Sequence, residues 1–69
     1  MLEIIRTANH LKRLVPTHQK DVVVQFNRCI RSKRLIEARI IASELKELYV
    51  DEKDPRTSLI NKLYQQIEI

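Results

Sequence analysis

Apolar side chains recur every three or four residues along most of the chain, the spacing that places them on one face of an α-helix. In the first segment this pattern stops before Pro16, whose ring clashes with a continuing helix. We therefore expect a first helix over residues 2–15. Its apolar stripe consists of Ile4, Ile5, Ala8, Leu11 and Val15.

The next segment predicts a second helix over residues 18–31, with Thr17 as its N-cap and Asp21 near the positive end of its dipole. A run of three valines at 22–24 is also typical of a β-strand, and a short strand is the alternative. The pattern contains no obvious partner strand, which favours the helix. Its apolar face consists of Val22, Val23, Phe26, Cys29 and Ile30.

The strongest helical pattern lies in residues 33–50, the predicted third helix. The polar residues 32–34 interrupt the apolar pattern before it, and we interpret them as a turn with Ser32 as the N-cap of the third helix. One continuous helix over residues 21–50 is the alternative. The stripe consists of Leu35, Ala38, Ala42, Leu45, Leu48 and Tyr49, with Ile41 beside it.

A polar connector over residues 51–54 leads to the predicted fourth helix, residues 55–67. Asp54 and Pro55 form a helix start signal, a capping side chain followed by proline in the first helical position. The apolar face consists of Leu59, Ile60, Leu63, Tyr64 and Ile67. Together the segments predict a single all-α domain over residues 1–69, with three to four short helices packed as antiparallel hairpins.

The chain also shows a weak internal similarity when it is shifted by 34 residues against itself. Six of the 35 aligned positions are identical, more than composition alone predicts. The identical pairs are Glu3 and Glu37, Ala8 and Ala42, Leu11 and Leu45, Lys12 and Lys46, Leu14 and Leu48, and Asn27 and Asn61.

A period of 34 residues with a helix–turn–helix pattern resembles the tetratricopeptide and pentatricopeptide repeats. The segment 34–38 (Arg-Leu-Ile-Glu-Ala) looks like the start of the second helix of such a repeat. This resemblance implies that the second and third helices form one repeat, flanked by halves of two others. A generic helical hairpin or bundle is the alternative.

Composition excludes several classes of protein. The 69 residues contain no glycine, which argues against a β-rich fold, a phosphate-binding Walker loop and a dinucleotide-binding fingerprint. A single cysteine precludes an intrachain disulfide and favours a reducing compartment. No apolar run exceeds three residues, and the start of the chain lacks the features of a signal peptide. We expect a cytoplasmic protein with no membrane span.

Residues that could perform chemistry are few. His10, His18 and Cys29 do not occur at the spacing of a metal site or a catalytic triad. Cys29 occupies an apolar position, where cysteine behaves as a small hydrophobic residue. We therefore predict a protein that is not an enzyme and has no catalytic, cofactor-binding or metal-binding residues.

Charge is distributed unevenly between the two halves of the chain. Residues 1–39 carry nine Lys or Arg against three acids, whereas residues 40–69 carry four against six. The basic residues of the first half can bind phosphate groups. A basic helical nucleic-acid-binding protein, similar to a dimeric repressor, is therefore one alternative for the function. Its possible contact residues are Arg28, Arg31, Lys33 and Arg34. The alternative to nucleic-acid binding is that these basic residues form an ordinary solvent-exposed face of the helices.

The number of apolar side chains exceeds what a small monomer can easily bury, and an exposed apolar patch usually marks a contact site. The apolar residues beyond those needed for the core include Ile41, Met1, Leu2, Leu14 and Ile69, in addition to the isoleucines among the contact residues named below. We predict a protein–protein interaction module, a regulator or adaptor that docks a helix face on a partner and forms a homo-oligomer. Its opposite charges favour head-to-tail pairing of subunits, and a self-assembling structural subunit is a further alternative. The predicted contact residues are Ile36, Ile40, Tyr64, Ile67, Arg31, Arg34 and Arg39.

Overall fold

Four α-helices make up most of the chain in the computed structural model, which describes residues 2–67. They are α1 (Leu2–Leu14), α2 (Thr17–Arg31), α3 (Leu35–Leu48) and α4 (Pro55–Gln66). Each begins and ends within two residues of its predicted bounds, and the predicted all-α fold is confirmed. The valine run at 22–24 is helical, and the chain turns between α2 and α3, so both alternatives for these segments are wrong.

The helices form a closed ring in which each helix packs against two neighbours. Helices α2 and α4 both contact α1, and both contact α3. Within residues 2–67, no Cα atoms of the diagonal pairs α1–α3 and α2–α4 lie within 8 Å of each other. The outer face of α3 and the outer face of α1 therefore lie on opposite sides of the bundle.

The predicted apolar stripes meet in one core at the centre of this ring. An exception is Leu48, which is 63% exposed. The stripe of α3 continues instead through the partly buried Tyr49, which lies closer to the face shared by Ala38, Ala42 and Leu45. The buried apolar residues are Ile4, Ala8, Leu11, Val15, Val23, Phe26, Cys29, Ile30, Ala38, Ala42, Leu45, Ile60, Leu63 and Ile67.

The 34-residue shift relates the α1–α2 hairpin to the α3–α4 hairpin. Ala8 and Ala42 are both fully buried at corresponding positions of α1 and α3, and so are Leu11 and Leu45, with at most 1% exposed. Two of the six identical pairs thus contribute to the same core, whereas the other four pairs lie at exposed or partly buried positions. The resemblance to a repeat family stays a prediction.

The turn between α2 and α3 has the hydrogen bonds of a Schellman motif, a common helix ending. The Arg34 N–H donates to the Cys29 carbonyl at 2.8 Å, and the Lys33 N–H donates to the Ile30 carbonyl at 3.1 Å. Lys33 has a φ of 61°, in the left-handed region that favours glycine. A chain without glycine thus ends α2 with a lysine in the position that glycine usually occupies.

Two predicted helix caps are wrong. The Ser32 hydroxyl donates to the Arg28 carbonyl at 2.8 Å, so Ser32 ends α2, and Arg34 is the N-cap of α3. The N-cap of α2 is Pro16, and Thr17 is the first helical residue, because proline already has the extended backbone that precedes a helix.

Replacing Lys33 by glycine is expected to stabilise the protein. Glycine removes the steric cost of the left-handed backbone, and its greater freedom in the unfolded chain offsets part of the gain. The net increase in the free energy of unfolding is roughly 0.5–1 kcal/mol. Thermal unfolding followed by circular dichroism measures it. In the control Lys33→Ala the β-carbon stays, so an equal gain there would assign the effect to the lost charge and contradict the backbone explanation.

Candidate partner-binding surface

Three of the six large apolar residues that are exposed within residues 2–67 lie on α3. Ile36 and Ile40 of α3 lie one helical turn apart, and their residues are 65% and 53% exposed. They lie opposite the buried stripe of α3, so their side chains point away from the core. The large apolar residues exposed in the described range are Leu2, Leu14, Ile36, Ile40, Leu48 and Val50.

The two isoleucines line a shallow, open depression between α3 and α4. Arg39 and Ser43 of α3 complete its lining on one side, and Tyr64 of α4 forms the other. We call these five residues the α3 contact face. Four of them, all except Ser43, are predicted contact residues, and the fold brings them together. Ser43 was missed, because a single serine carries no distinguishing signal.

The ring of Tyr64 is held between the two helices by cations. The Arg39 guanidinium lies 4.8 Å from the ring centroid, and the Lys46 ammonium lies 4.3 Å from it. Each such contact stabilises a partly exposed ring by about 0.5–1 kcal/mol. Arg39 and Lys46 are seven residues apart on α3, which places both on the side facing α4. The half-buried tyrosine therefore has a defined position at the edge of the contact face.

The prediction that Ile67 contacts a partner is wrong. Ile67 is 5% exposed and belongs to the core, because the last residues of the described chain fold against the bundle. Ile41 is likewise partly buried against the core. Met1 and Ile69, two residues of the predicted apolar surplus, lie outside the described residues.

The predicted basic residues gather at the end of the bundle where α2 turns into α3. Arg28, Arg31, Lys33 and Arg34 are all exposed there. The Arg34 guanidinium lies 3.4 Å from the Glu37 carboxylate, and both side chains are at least half exposed. An ion pair in this setting contributes little to stability. Two of these cations, Lys33 and Arg34, line a depression with Ile36 at one end of the α3 contact face.

A polar network at the opposite end of the bundle was not predicted. The Asp54 carboxylate accepts the Arg56 backbone N–H at 2.9 Å as the cap of α4, which confirms the predicted helix start. It also accepts two donors of the Arg56 side chain, the closest at 2.7 Å. The Arg56 guanidinium stacks 4.7 Å from the Tyr49 ring centroid. The Tyr49 hydroxyl in turn donates to Gln19 of α2.

This network has an electrostatic consequence for its carboxylate. The hydrogen bonds from the Arg56 side chain, followed by the bond from its backbone N–H, hold the pKa of Asp54 below its ordinary value. The same side-chain hydrogen bonds raise the pKa of Arg56. The network ties α2, the α3–α4 connector and α4 together, so we assign it a structural role.

The histidines and the cysteine, the residues considered for chemistry, differ in their exposure to solvent. His10 and His18 are exposed, whereas Cys29 is 2% exposed in the core. Among residues 2–67 there is no group of three or more His, Cys, Asp or Glu side chains placed to hold a metal ion. In the same range, none of the helices is both long enough and apolar enough to cross a membrane.

Comparisons with known proteins add no further assignment. No protein-family model matches the chain, and neither the curated proteins nor the solved structures provide a significant match. The α3 contact face is therefore interpreted from its own geometry.

Proposed function

We propose that this protein is a small, cytoplasmic, non-enzymatic protein–protein interaction module, a regulator or adaptor that acts by docking its α3 contact face and by self-association. The observation that supports this proposal is the pair of exposed isoleucines, Ile36 and Ile40, beside the positioned ring of Tyr64. Apolar side chains that a small bundle leaves outside its core are stabilised when a second surface covers them.

The energy available from this face fits a modest interaction. Fully burying an exposed isoleucine contributes about 1.5–3 kcal/mol, and both isoleucines here are already partly covered by their own helix. Tyrosine and arginine are frequent among the residues that dominate binding energy, and Tyr64 and Arg39 flank the isoleucines. The composition of the face thus resembles the centre of a protein interface with a polar edge.

The second candidate is a nucleic-acid-binding protein, supported by the four exposed cations around the α2–α3 turn. Such a patch would bind phosphates, and its affinity would fall steeply with salt. Only Ile36 of the contact face adjoins this patch, so nucleic-acid binding leaves the other exposed apolar residues without a role. Protein docking gives a role to both the basic patch and the exposed isoleucines, because charges beside an apolar centre orient a protein partner.

Site-specific photo-cross-linking in an extract of the native cell tests the proposal. A photoreactive amino acid in place of Ser43, inside the α3 contact face, is expected to form a covalent adduct with a protein. The matched control has the same amino acid in place of Ser58, an exposed serine of α4 outside this face. Equal adduct formation at both positions, or none, contradicts the proposal. An adduct sensitive to nuclease favours the second candidate.

A further inference from the structure

We propose that the partner of the α3 contact face is a second copy of this chain, bound so that the two α3 helices run antiparallel across a two-fold axis. This inference rests on the proposed function, because it names the occupant of the same face. The observation that carries it is the order of charges along the exposed side of α3.

Apart from Glu37, which pairs with Arg34, and Lys46, which lies over the Tyr64 ring, the exposed charges change sign from one end of this helix to the other. Lys33 and Arg34 are exposed at the start of α3, and Glu44 and Glu47 are exposed in its second half. The exposed Ile36 and Ile40 lie between them. Among residues 2–67, Lys33, Glu44 and Glu47 take part in no ion pair within 4.0 Å. Their charges are therefore available to a partner.

An antiparallel pair of α3 helices brings opposite charges together. If Ile40 faces Ile40 of the second copy, the turn that carries Lys33, seven residues before Ile40, lies near Glu47, which is seven residues, or about two helical turns, after it. If Ile40 faces Ile36 instead, Lys33 faces Ser43, beside Glu44. In both registers an isoleucine of each copy faces an isoleucine of the other, and the basic start of each α3 lies beside the acidic second half of the other. A parallel pair would place like charges opposite each other.

The two-fold arrangement also changes the expected mode of assembly. The sequence predicts head-to-tail pairing, because its basic and acidic residues lie in separate segments of the chain. The fold places both signs on one exposed helix, so the same surface of both copies can be self-complementary. An interface of this kind closes as a dimer and leaves no free binding surface for a third copy.

The expected dimer is weak and sensitive to salt. Helix α3 has 14 residues and is about 21 Å long, so one pair of these helices buries less than the 1,200–2,000 Å² typical of stable interfaces. Its ion pairs are exposed to solvent, where added salt screens them. Sedimentation equilibrium at low ionic strength, at concentrations up to millimolar, is the appropriate measurement.

Charge reversal tests the arrangement. The first variant, Lys33→Glu with Arg34→Glu, and the second, Glu44→Lys with Glu47→Lys, each place like charges opposite one another in the homodimer. The two-fold axis places each substitution in the interface twice, once from each copy. Each variant is therefore expected to dimerise at least tenfold more weakly than the wild type. The fourfold variant that combines all these changes is expected to dimerise as the wild type does. An equimolar mixture of the two double variants is expected to form a heterodimer of similar affinity.

The matched controls separate this effect from net charge and from misfolding. The fourfold variant has the net charge of the wild type, +4. Arg6→Glu with Arg13→Glu changes the charge by as much as the first variant, on exposed residues of α1, the helix diagonally opposite α3. It should leave dimerisation unchanged. Circular dichroism should show the same helix content in all variants.

Three results would overturn the inference: a wild-type chain that stays monomeric at millimolar concentration, loss of dimers in the α1 control, or no recovery in the fourfold variant. The proposed function fails separately. A monomeric chain that still forms a protein adduct at Ser43 contradicts the dimer and supports docking on another protein. Absence of both the dimer and the adduct contradicts both proposals.

Discussion

Replacing Phe26 by alanine is expected to unfold most of the protein or to lower its melting temperature by roughly 15 °C or more. Phe26 is fully buried on α2 and is the largest side chain in the core. Its truncation removes apolar burial and leaves a cavity, a loss of about 3–5 kcal/mol. A domain of this length has a total stability of only about 3–10 kcal/mol. Thermal unfolding followed by circular dichroism measures the effect.

The control for this prediction is Leu2→Ala, which truncates a side chain on α1 that is 64% exposed. Its effect should stay within about 0.5 kcal/mol, because little burial is lost. If the melting temperature of Phe26→Ala is only a few degrees below that of the wild type, the core does not depend on the phenyl side chain. That result would contradict the closed arrangement of four helices described above.

Replacing both Ile36 and Ile40 by lysine is expected to abolish association while leaving the fold intact. Each lysine puts a charged, strongly hydrated group where the partner must exclude water, and burying an unpaired charge is very unfavourable. The fold tolerates the change because both residues are more than half exposed. Size-exclusion chromatography with light scattering should give the monomer mass at concentrations where the wild type associates. Circular dichroism should show unchanged helix content.

The matched control places two lysines on another exposed apolar pair, Leu2 and Leu14 of α1. It adds the same charge and removes similar apolar surface on the opposite side of the bundle. Association should persist in this control. If both double variants associate equally well, or lose association equally, the α3 contact face has no special role. The Ser43 cross-link, repeated in the Ile36→Lys, Ile40→Lys background, extends the test to partners other than a second copy.

Much of the fold could be predicted because helix formation depends on local pattern. The spacing of apolar residues identified all four helices, and the Asp54–Pro55 signal predicted the start of α4 correctly. The caps around Pro16 and Ser32 were predicted wrongly by one or two residues. A serine can bond backward to a preceding carbonyl or forward to a following N–H, and the sequence alone does not decide between them.

Less of the candidate site could be predicted. Ile36 and Ile40 were recognised because they lie off the main stripe of their helix, a feature visible in the sequence. Ile67 has the same chemical character but is buried, because its position after α4 is covered by the neighbouring helices. The cation contacts of Tyr64 were equally out of reach, since they join α3 to α4 across a distance in sequence that periodicity does not measure.

The sequence by itself determined the helices, their apolar faces and the lack of residues spaced for known catalytic or metal sites. These properties follow from interactions within a few residues: backbone hydrogen bonding, proline geometry and the 3.6-residue period. Only the tertiary structure decided which apolar residues remain exposed, how the helices close into a ring, and which charges share one surface with Ile36 and Ile40. Those properties depend on how each helix is rotated about its axis, and contacts between distant segments set that rotation.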